Sequence, residues 1–422
     1  MRQTRWIKFL GSFLLASLLF NGPAFAGGIS LYEFGSPDIG LAAAGWAARA
    51  QDAATVFTNP AGMSRLEQSQ FLGGLQALYG DLKFDANNNT TYTGSDGGNA
   101  VGWVSGGSLF VVQKIGQDFS IGFGVLSYFG LGLDYDDDWV GKYFVQEGTL
   151  IGLSLTPAVS YRVNNWLSIG VGLNAMYGML DNKLAIRNPL GSDGKLKYKD
   201  EDWGYGWTAG ILVEPKPGTR IGLTYLSEVD LDFSDTTDIN GLGQHLTQLL
   251  TRKMDLSITV PQMVMFSVYH DLNAKWSIMG NIGWQDWSKF GQIFVEIDEP
   301  DGSDPKNLTL NADYNDTWHV SLGAQYRHSP VWTFSGGIAY DSSAVDDGKC
   351  TVTVPMGESW RFALGAQYAF TPNLTLGGAY EFMWLGDMEV NQKRGLNGER
   401  RLEGEFDDAY FHVLALNLSL KF

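Results

Sequence analysis

Cysteine is almost absent from this 422-residue chain: Cys350 stands alone, so no internal disulfide and no thiolate metal cluster can form. Cations are scarce too. There are 29 Lys and Arg against 46 Asp and Glu, a net charge of −17 at pH 7, which excludes nucleic acid as a partner because that needs a basic patch. Beyond residue 26 no uninterrupted apolar run reaches the ~20 residues of a spanning helix. The histidines His245, His270, His319, His328 and His412 have no ligand spacing. No Gly-x-Ser-x-Gly elbow occurs, and Gly170-Val171-Gly172 lacks the third glycine of a dinucleotide loop. Asp134, Asp136 and Asp138 begin like a calcium loop, but Trp139 stands where glycine is needed and Val145 where the bidentate glutamate belongs. That run reads as a solvated acidic loop. No catalytic residue, cofactor or metal site is expected.

What is present begins with an export signal. Arg2, Arg5 and Lys8 make a basic start, Phe9 to Phe20 is apolar, and Ala24-Phe25-Ala26 supplies the small residues of a cleavage site. Residues 1–26 are therefore expected to be removed, leaving Gly27 as the first mature residue. An exported chain without an apolar helix can still cross a membrane as a closed barrel, in which every backbone polar group is paired.

The tail carries that pattern. Tyr410, His412, Leu414, Leu416, Leu418, Leu420 and Phe422 share one face of a strand; Phe411, Val413, Ala415, Asn417, Ser419 and Lys421 share the other. The same parity recurs upstream. Trp318, Val320, Leu322, Ala324 and Tyr326 oppose His319, Ser321, Gly323, Gln325 and Arg327. Trp360, Phe362, Leu364, Ala366 and Tyr368 oppose Arg361, Ala363, Gly365 and Gln367. Aromatic residues end each apolar face, as they do at a membrane–water boundary.

Short polar turns are read near Gly116, Asn164-Asn165, Lys216-Pro217-Gly218, Leu272-Asn273, Ser329-Pro330 and Pro372-Asn373. Longer connections are read around 85–99, 134–147, 187–202, 234–254, 298–307, 341–350 and 386–404. Six short and seven long connections predict fourteen antiparallel strands over residues 67–422. Short turns on one side and long loops on the other are the asymmetry of outer-membrane barrels. In one long loop Leu242, Leu246, Leu249 and Leu250 fall at helical spacing with Asn240 as cap, either a surface helix over the mouth or an apolar landing surface. Residues 27–66 do not alternate and are too poor in large apolar residues to fold alone. They are expected to pack inside the barrel as a plug.

The chain resembles the long-chain fatty acid transporter (FadL-type) family of Gram-negative outer membranes, which also includes channels for toluene and related hydrocarbons. The resemblance lies in Glu33-Phe34, Asn59-Pro60-Ala61, Asn164-Asn165 leading into Gly170 to Tyr177, and Trp203-Gly204-Tyr205-Gly206-Trp207 followed by Ala209-Gly210-Ile211-Leu212. It continues through Leu223-Thr224-Tyr225, Trp287-Ser288, Trp332-Thr333-Phe334, Tyr368-Ala369-Phe370 and the terminal Phe422. The resemblance implies a fourteen-stranded barrel with an N-terminal hatch bearing Asn59, Pro60 and Ala61, and a kink in the third strand at Ser127-Tyr128-Phe129-Gly130. Asn59, Pro60, Ala61, Phe129 and Gly130 are then gate residues. Relatives that bind fatty acids place basic side chains on the fifth and tenth strands; here those positions fall on Leu184 and Leu310, with Arg187 as a substitute cation.

The function expected is an outer-membrane channel, monomeric and not an enzyme, admitting hydrophobic small molecules such as fatty acids or related hydrocarbons. Ligand would settle on Leu242, Leu246, Leu249 and Leu250. It would then enter a pocket of Leu126, Tyr128, Met176, Leu180 and Leu184, where Gly122, Gly124, Gly170, Gly172 and Gly204 leave space. Movement of the hatch would release it sideways near Gly130. The surroundings would be outer-membrane lipid and lipopolysaccharide, with the barrel assembly machinery engaging the strand that ends at Phe422. A hydrocarbon-specific channel, an open porin, an adhesin built from the acidic loops, and a lipase using His412 are the competing readings; His412 has no evident nucleophile beside it.

Overall fold

The alternating segments close on themselves. The computed structural model describes residues 27–188, 191–298, 306–307, 310–394 and 400–422, so the export signal lies outside the described residues. Fourteen antiparallel strands form one barrel. They are β1 (Gln70–Asp81), β2 (Gly102–Ile115), β3 (Phe119–Asp134), β4 (Glu147–Arg162), β5 (Leu167–Ile186), β6 (Gly194–Lys216) and β7 (Thr219–Leu226). The series continues with β8 (Met263–Asp271), β9 (Trp276–Gln285), β10 (Thr317–Arg327), β11 (Trp332–Asp341), β12 (Ser359–Ala369), β13 (Leu374–Arg394) and β14 (Arg400–Lys421). Each strand pairs with its predecessor, and β14 pairs with β1 from Gln70↔Lys421 to Asp81↔Tyr410, so the ring of strands closes.

Burial follows the parity of the sequence. On β14, Leu414 and Leu416 are exposed while Val413 and Ala415 are buried; on β12, Phe362 and Leu364 are exposed while Arg361 and Ala363 are buried. An apolar exterior over a polar or small-residue interior is what lipid outside the barrel requires.

Turn chemistry fixes the short side. All six short connections fall where the sequence puts them, at 116–118, 163–166, 217–218, 272–275, 328–331 and 370–373. Asn164 Oδ1 accepts from Trp166 N and Leu167 N, both at 2.9 Å, and Asn273 Oδ1 repeats the arrangement with Lys275 N at 2.8 Å. On the long side, two expectations are corrected. Segments 187–202 and 386–404, read as loops, are mostly paired strand: β6 already begins at Gly194 and β13 runs to Arg394. Charged residues occupy both faces there because neither meets lipid, so the alternation that marks a strand disappears.

The long connections also build a second sheet from Val229–Thr236, Lys253–Val260, Gln292–Ile297 and the short pieces Lys306–Asn307 and Leu310–Asn311. A helix, Gln244–Leu250, lies in the connection between the first two of these strands, and its N-cap is Gly243. Asn240 is not the cap; it lies in a short strand, Asp238–Asn240, paired to Lys195–Lys197 of β6.

Residues 27–66 enter the lumen as short elements: a strand Gly27–Ser30, 3-10 turns Pro37–Leu41 and Pro60–Arg65, and one turn of helix, Thr55–Thr58. From 31 to 64 every residue except Gln51 is buried. Elements this short have no stability of their own, so the barrel interior determines their conformation.

Candidate functional site

The hatch is seated by close contacts that only glycine permits. A Cβ at Gly210 would lie 1.9 Å from Asn59 Oδ1, at Gly222 2.0 Å from Ala47 O, at Gly337 2.0 Å from Leu41 O, and at Gly170 2.4 Å from Ala61 N. The idea that small inward residues leave space for ligand is thereby corrected. Gly170 holds the hatch, the space at Gly122 is filled by Met63 and Val56, and that at Gly204 by Asp230 and Val229 of the outer sheet. Gly124 and Gly172 are filled by the wall itself, through Thr156 and Phe110 and through Ala158.

Asn59 explains why its motif begins with asparagine. Its Oδ1 accepts from Ala61 N at 3.0 Å, capping the turn that Pro60 starts, and its Nδ2 donates to Ala47 O at 2.6 Å and to Ile211 O on β6 at 3.1 Å. One side chain thus ties two parts of the hatch to the wall. Asn281 on β9 does the same from the barrel side, accepting from Gly45 N at 2.8 Å and Trp46 N at 3.1 Å.

Across β10 to β13 the lumen wall is charged. Arg361 pairs with Glu33 of the hatch, with Asp341 at 2.8 Å and with Glu381 at 3.6 Å. His319 Nδ1 meets Asp341 Oδ1 at 2.7 Å, and the Tyr32 ring lies 4.4 Å from the His319 ring. Arg361, Glu33 and Glu381 are almost wholly buried. Glu33 is the only hatch carboxylate in this group, so it couples the hatch to a fixed set of wall charges. A buried pair of this kind is costly to break because one partner is left uncompensated.

Across β3 to β5 the wall is different. Between Ser127 and Phe129 the β3–β4 register shifts by one residue, so Tyr128 is a bulge. The β2–β3 ladder ends at Ser108↔Leu126, and residues 102–107 of β2 have no partner on β3. The upper edge of β3 is taken instead by the hatch: Gly27 pairs with Leu131, Ser30 with Phe129, and Leu31 N donates to Tyr128 O at 2.8 Å. Phe129 and Gly130 lie in this unzipped stretch, and residues 128–133 are all buried.

Of the five pocket residues read from sequence, Leu126, Tyr128, Met176 and Leu180 join one contiguous apolar core with Phe57 and Met63 of the hatch. Leu184 does not; it is half-buried higher on β5, opposite Leu196. Arg187 is exposed in the loop and supplies no pocket charge. Leu310 lies in the outer sheet opposite Ile293, not on a barrel strand. The cavity in this region measures about 10 Å³ and is lined by Leu31, Trp46, Phe57, Tyr128, Val260 and Met263 among others, so only Tyr128 of the five borders it. A benzene-sized guest needs about 150 Å³, so this cavity is too small for ligand while the hatch is seated. Leu246 and Leu250 are exposed on the outer helix; Leu242 precedes that helix and fits against Gly194, and the side chain of Leu249 lies outside the described residues.

Two groups escaped sequence reasoning. In the group of Glu33, His319, Asp341, Arg361 and Glu381, the four wall residues carry a signal that parity offers, charges at inward positions of neighbouring lipid-facing strands, whereas Glu33 lies in the hatch, where parity says nothing. The lumen-facing Ser154, Thr156 and Asn174 carry none, because small polar residues are ordinary inside a barrel.

Comparison with known proteins agrees with this geometry. The family profile described as outer membrane protein transport protein (OMPP1/FadL/TodX) matches residues 17–422. The chain is 28% identical over 380 residues to the long-chain fatty acid transport protein of Escherichia coli O6:H1, covering 81% of this chain and 83% of that protein. It is 30% identical over 377 residues to outer membrane protein P1 of Haemophilus influenzae, covering 78% and 80%. Among solved structures, a Pseudomonas aeruginosa FadL homologue aligns with a TM-score of 0.84 at 18% identity, over 94% of this chain and 100% of that one. The P. putida toluene transporter TodX aligns at 0.68 with 16% identity, over 95% and 99%. At such identities the structural likeness is one of fold.

Proposed function

The chain belongs to the outer membrane protein transport family (OMPP1/FadL/TodX), and on that premise we propose that it admits hydrophobic compounds, fatty acids or related hydrocarbons, by passive diffusion through a passage that residues 27–66 close. It resides in the outer membrane of a Gram-negative bacterium. The observation that carries the reading is the double placement of the hatch. The same segment walls the cavity of about 10 Å³ beside Tyr128 and, through Gly27 to Leu31, occupies the open edge of β3. One displacement therefore creates both a ligand space and a side opening.

In this reading ligand collects on Leu246 and Leu250 with Leu242 and Leu249, then enters beside Leu126, Tyr128, Met176 and Leu180. Asn59, Pro60 and Ala61 hold the hatch, and Phe129 and Gly130 frame the lateral exit. Release into the bilayer avoids exposing apolar surface to periplasmic water, which costs about 25 cal/mol per Å². The exposed Phe422 is the contact for the barrel assembly machinery, and the unit is a monomer.

A cross-link tests the gate. A Cβ at Gly323 would lie 2.8 Å from the Ala44 Cβ, near enough to relax to the ~3.8 Å of a disulfide. With Ala44→Cys and Gly323→Cys in a Cys350→Ala background, uptake of a long-chain fatty acid and of toluene by cells lacking their own transporter should vanish on oxidation and return on reduction. Uptake undiminished in the oxidised protein would end the hatch-gated route.

A further inference from the structure

We infer that Tyr128, Ser154, Thr156 and Asn174 form a cradle for a neutral hydroxyl group, so that the ligand is an apolar molecule carrying one O–H. The inference rests on the channel reading above and names the substrate class of that same site. Ser154 and Thr156 face the lumen from β4, Asn174 from β5, and Tyr128 stands at the β3 bulge; the register runs Leu126↔Ser154↔Met176. All four are buried, at 5%, 0%, 3% and 1% exposure in chain order. Asn174 Nδ2 donates to Tyr128 Oη at 2.9 Å. Ser154 Oγ lies next to the same phenol without a bond of good geometry, and Asn174 Oδ1 and Thr156 Oγ1 have no partner among the described residues. Three unmade buried polar atoms in one patch are unusual, because interiors satisfy such groups.

Two observations join the patch to the ligand path. The Tyr128 ring borders the small cavity, and Phe57 of the hatch covers it at 4.8 Å. Departure of the hatch therefore uncovers the cradle together with the apolar Leu126 and Met176 beside it. No charge faces it from these strands: the inward positions of β3 from Ser120 to Leu126, of β4 from Gly148 to Ser160 and of β5 from Ser168 to Leu180 are Gly, Ala, Ser, Thr, Asn, Leu and Met, with Tyr128 at the bulge, and Arg162 lies beyond them at the turn end of β4. An ionised carboxylate would be buried there without a counter-ion, which is prohibitive. A plain hydrocarbon would leave the orphan atoms unmade. A hydroxyl donates to Asn174 Oδ1 and accepts from Ser154 or Thr156, and a protonated carboxyl offers the same neutral O–H.

The test uses the whole protein in nanodiscs and matched pairs differing by one O–H: toluene against 4-methylphenol, and hexadecane against hexadecan-1-ol, with hexadecanoate at pH 8 as the anion. Calorimetry should give ~5–10-fold tighter binding of the hydroxylated member in each pair, the worth of one or two hydrogen bonds, and the weakest binding for the anion. Asn174→Leu and Ser154→Ala should bring the ratio towards one by weakening the hydroxylated member of each pair, and Thr156→Ser should preserve it. Discrimination in only one pair assigns the cradle to aromatic or to long-chain ligands. Equal binding within both pairs, or a ratio untouched by the substitutions, overturns the cradle and leaves the channel standing; absence of binding by every probe overturns the channel reading as well.

Discussion

The hatch meets two unlike walls across the lumen. On β10 to β13 it faces His319, Asp341, Arg361 and Glu381, and it answers with Glu33 and Tyr32. On β3 to β5 it faces Leu126, Tyr128 and Met176, and it answers with Phe57 and a few backbone bonds along the broken ladder. Charge pairing is directional and strong where water is excluded, whereas apolar contact tolerates sliding and replacement by another apolar group. A segment held in this way has a fixed side and a yielding side, and the yielding side is where the barrel wall is already unzipped.

The largest expected effect comes from removing the fixed side. Arg361→Ala leaves Glu33, Asp341 and Glu381 without their guanidinium, and losing one partner of such a pair costs about 3–5 kcal/mol. The hatch should leave its seat, seen as rapid proteolysis of residues 27–66 with the barrel intact. Arg361→Lys should give a partial release, since an ammonium lacks the planar fork. A hatch as resistant as before in Arg361→Ala would abolish the distinction between the walls.

Next in size is Phe57→Ala. Truncation of a buried Phe costs about 3–5 kcal/mol in a rigid core, at the lower end here because the neighbouring cavity can absorb the change. The hatch should stay protected while toluene uptake rises, because space opens over Tyr128. If this variant frees the N-terminal segment as completely as Arg361→Ala does, both walls hold it alike.

The smallest effect separates glycines. Gly222→Ala sets a methyl 2.0 Å from Ala47 O, whereas Gly172→Ala meets the Ala158 Cβ and Pro157 O of the wall, each at 3.2 Å, and nothing of the hatch. The first should loosen the hatch by about 1–3 kcal/mol, read as faster amide exchange over residues 45–50, and the second should leave that exchange unchanged. Equal exchange in the two variants would mean that backbone approach at Gly222 does not seat the hatch.

Much of the architecture was legible in the residues. Lipid imposes one apolar face per strand and turns demand Asn, Gly and Pro, so strand parity, the six short turns and the count of fourteen followed from local pattern. Where lipid ends, the constraint ends: β6 above Trp203 and the β13–β14 hairpin above Trp384 carry charges on both faces and were read as loops. The site was legible in part. Leu126, Tyr128, Met176 and Leu180 share a core because parity places them inward on β3 and β5, which flank β4, but Leu184 follows the same parity and sits too high.

By itself, the sequence determined which side of the strands β10 to β14 meets acyl chains, since a two-residue period needs no partner to be read. Only the tertiary structure decided what the inward side touches. Gly170 and Gly222 receive backbone from a segment over 100 residues earlier in the chain, and Glu33 finds Arg361 across 328 positions. Closure of the barrel brings such residues together, and no local pattern encodes a contact made by closure.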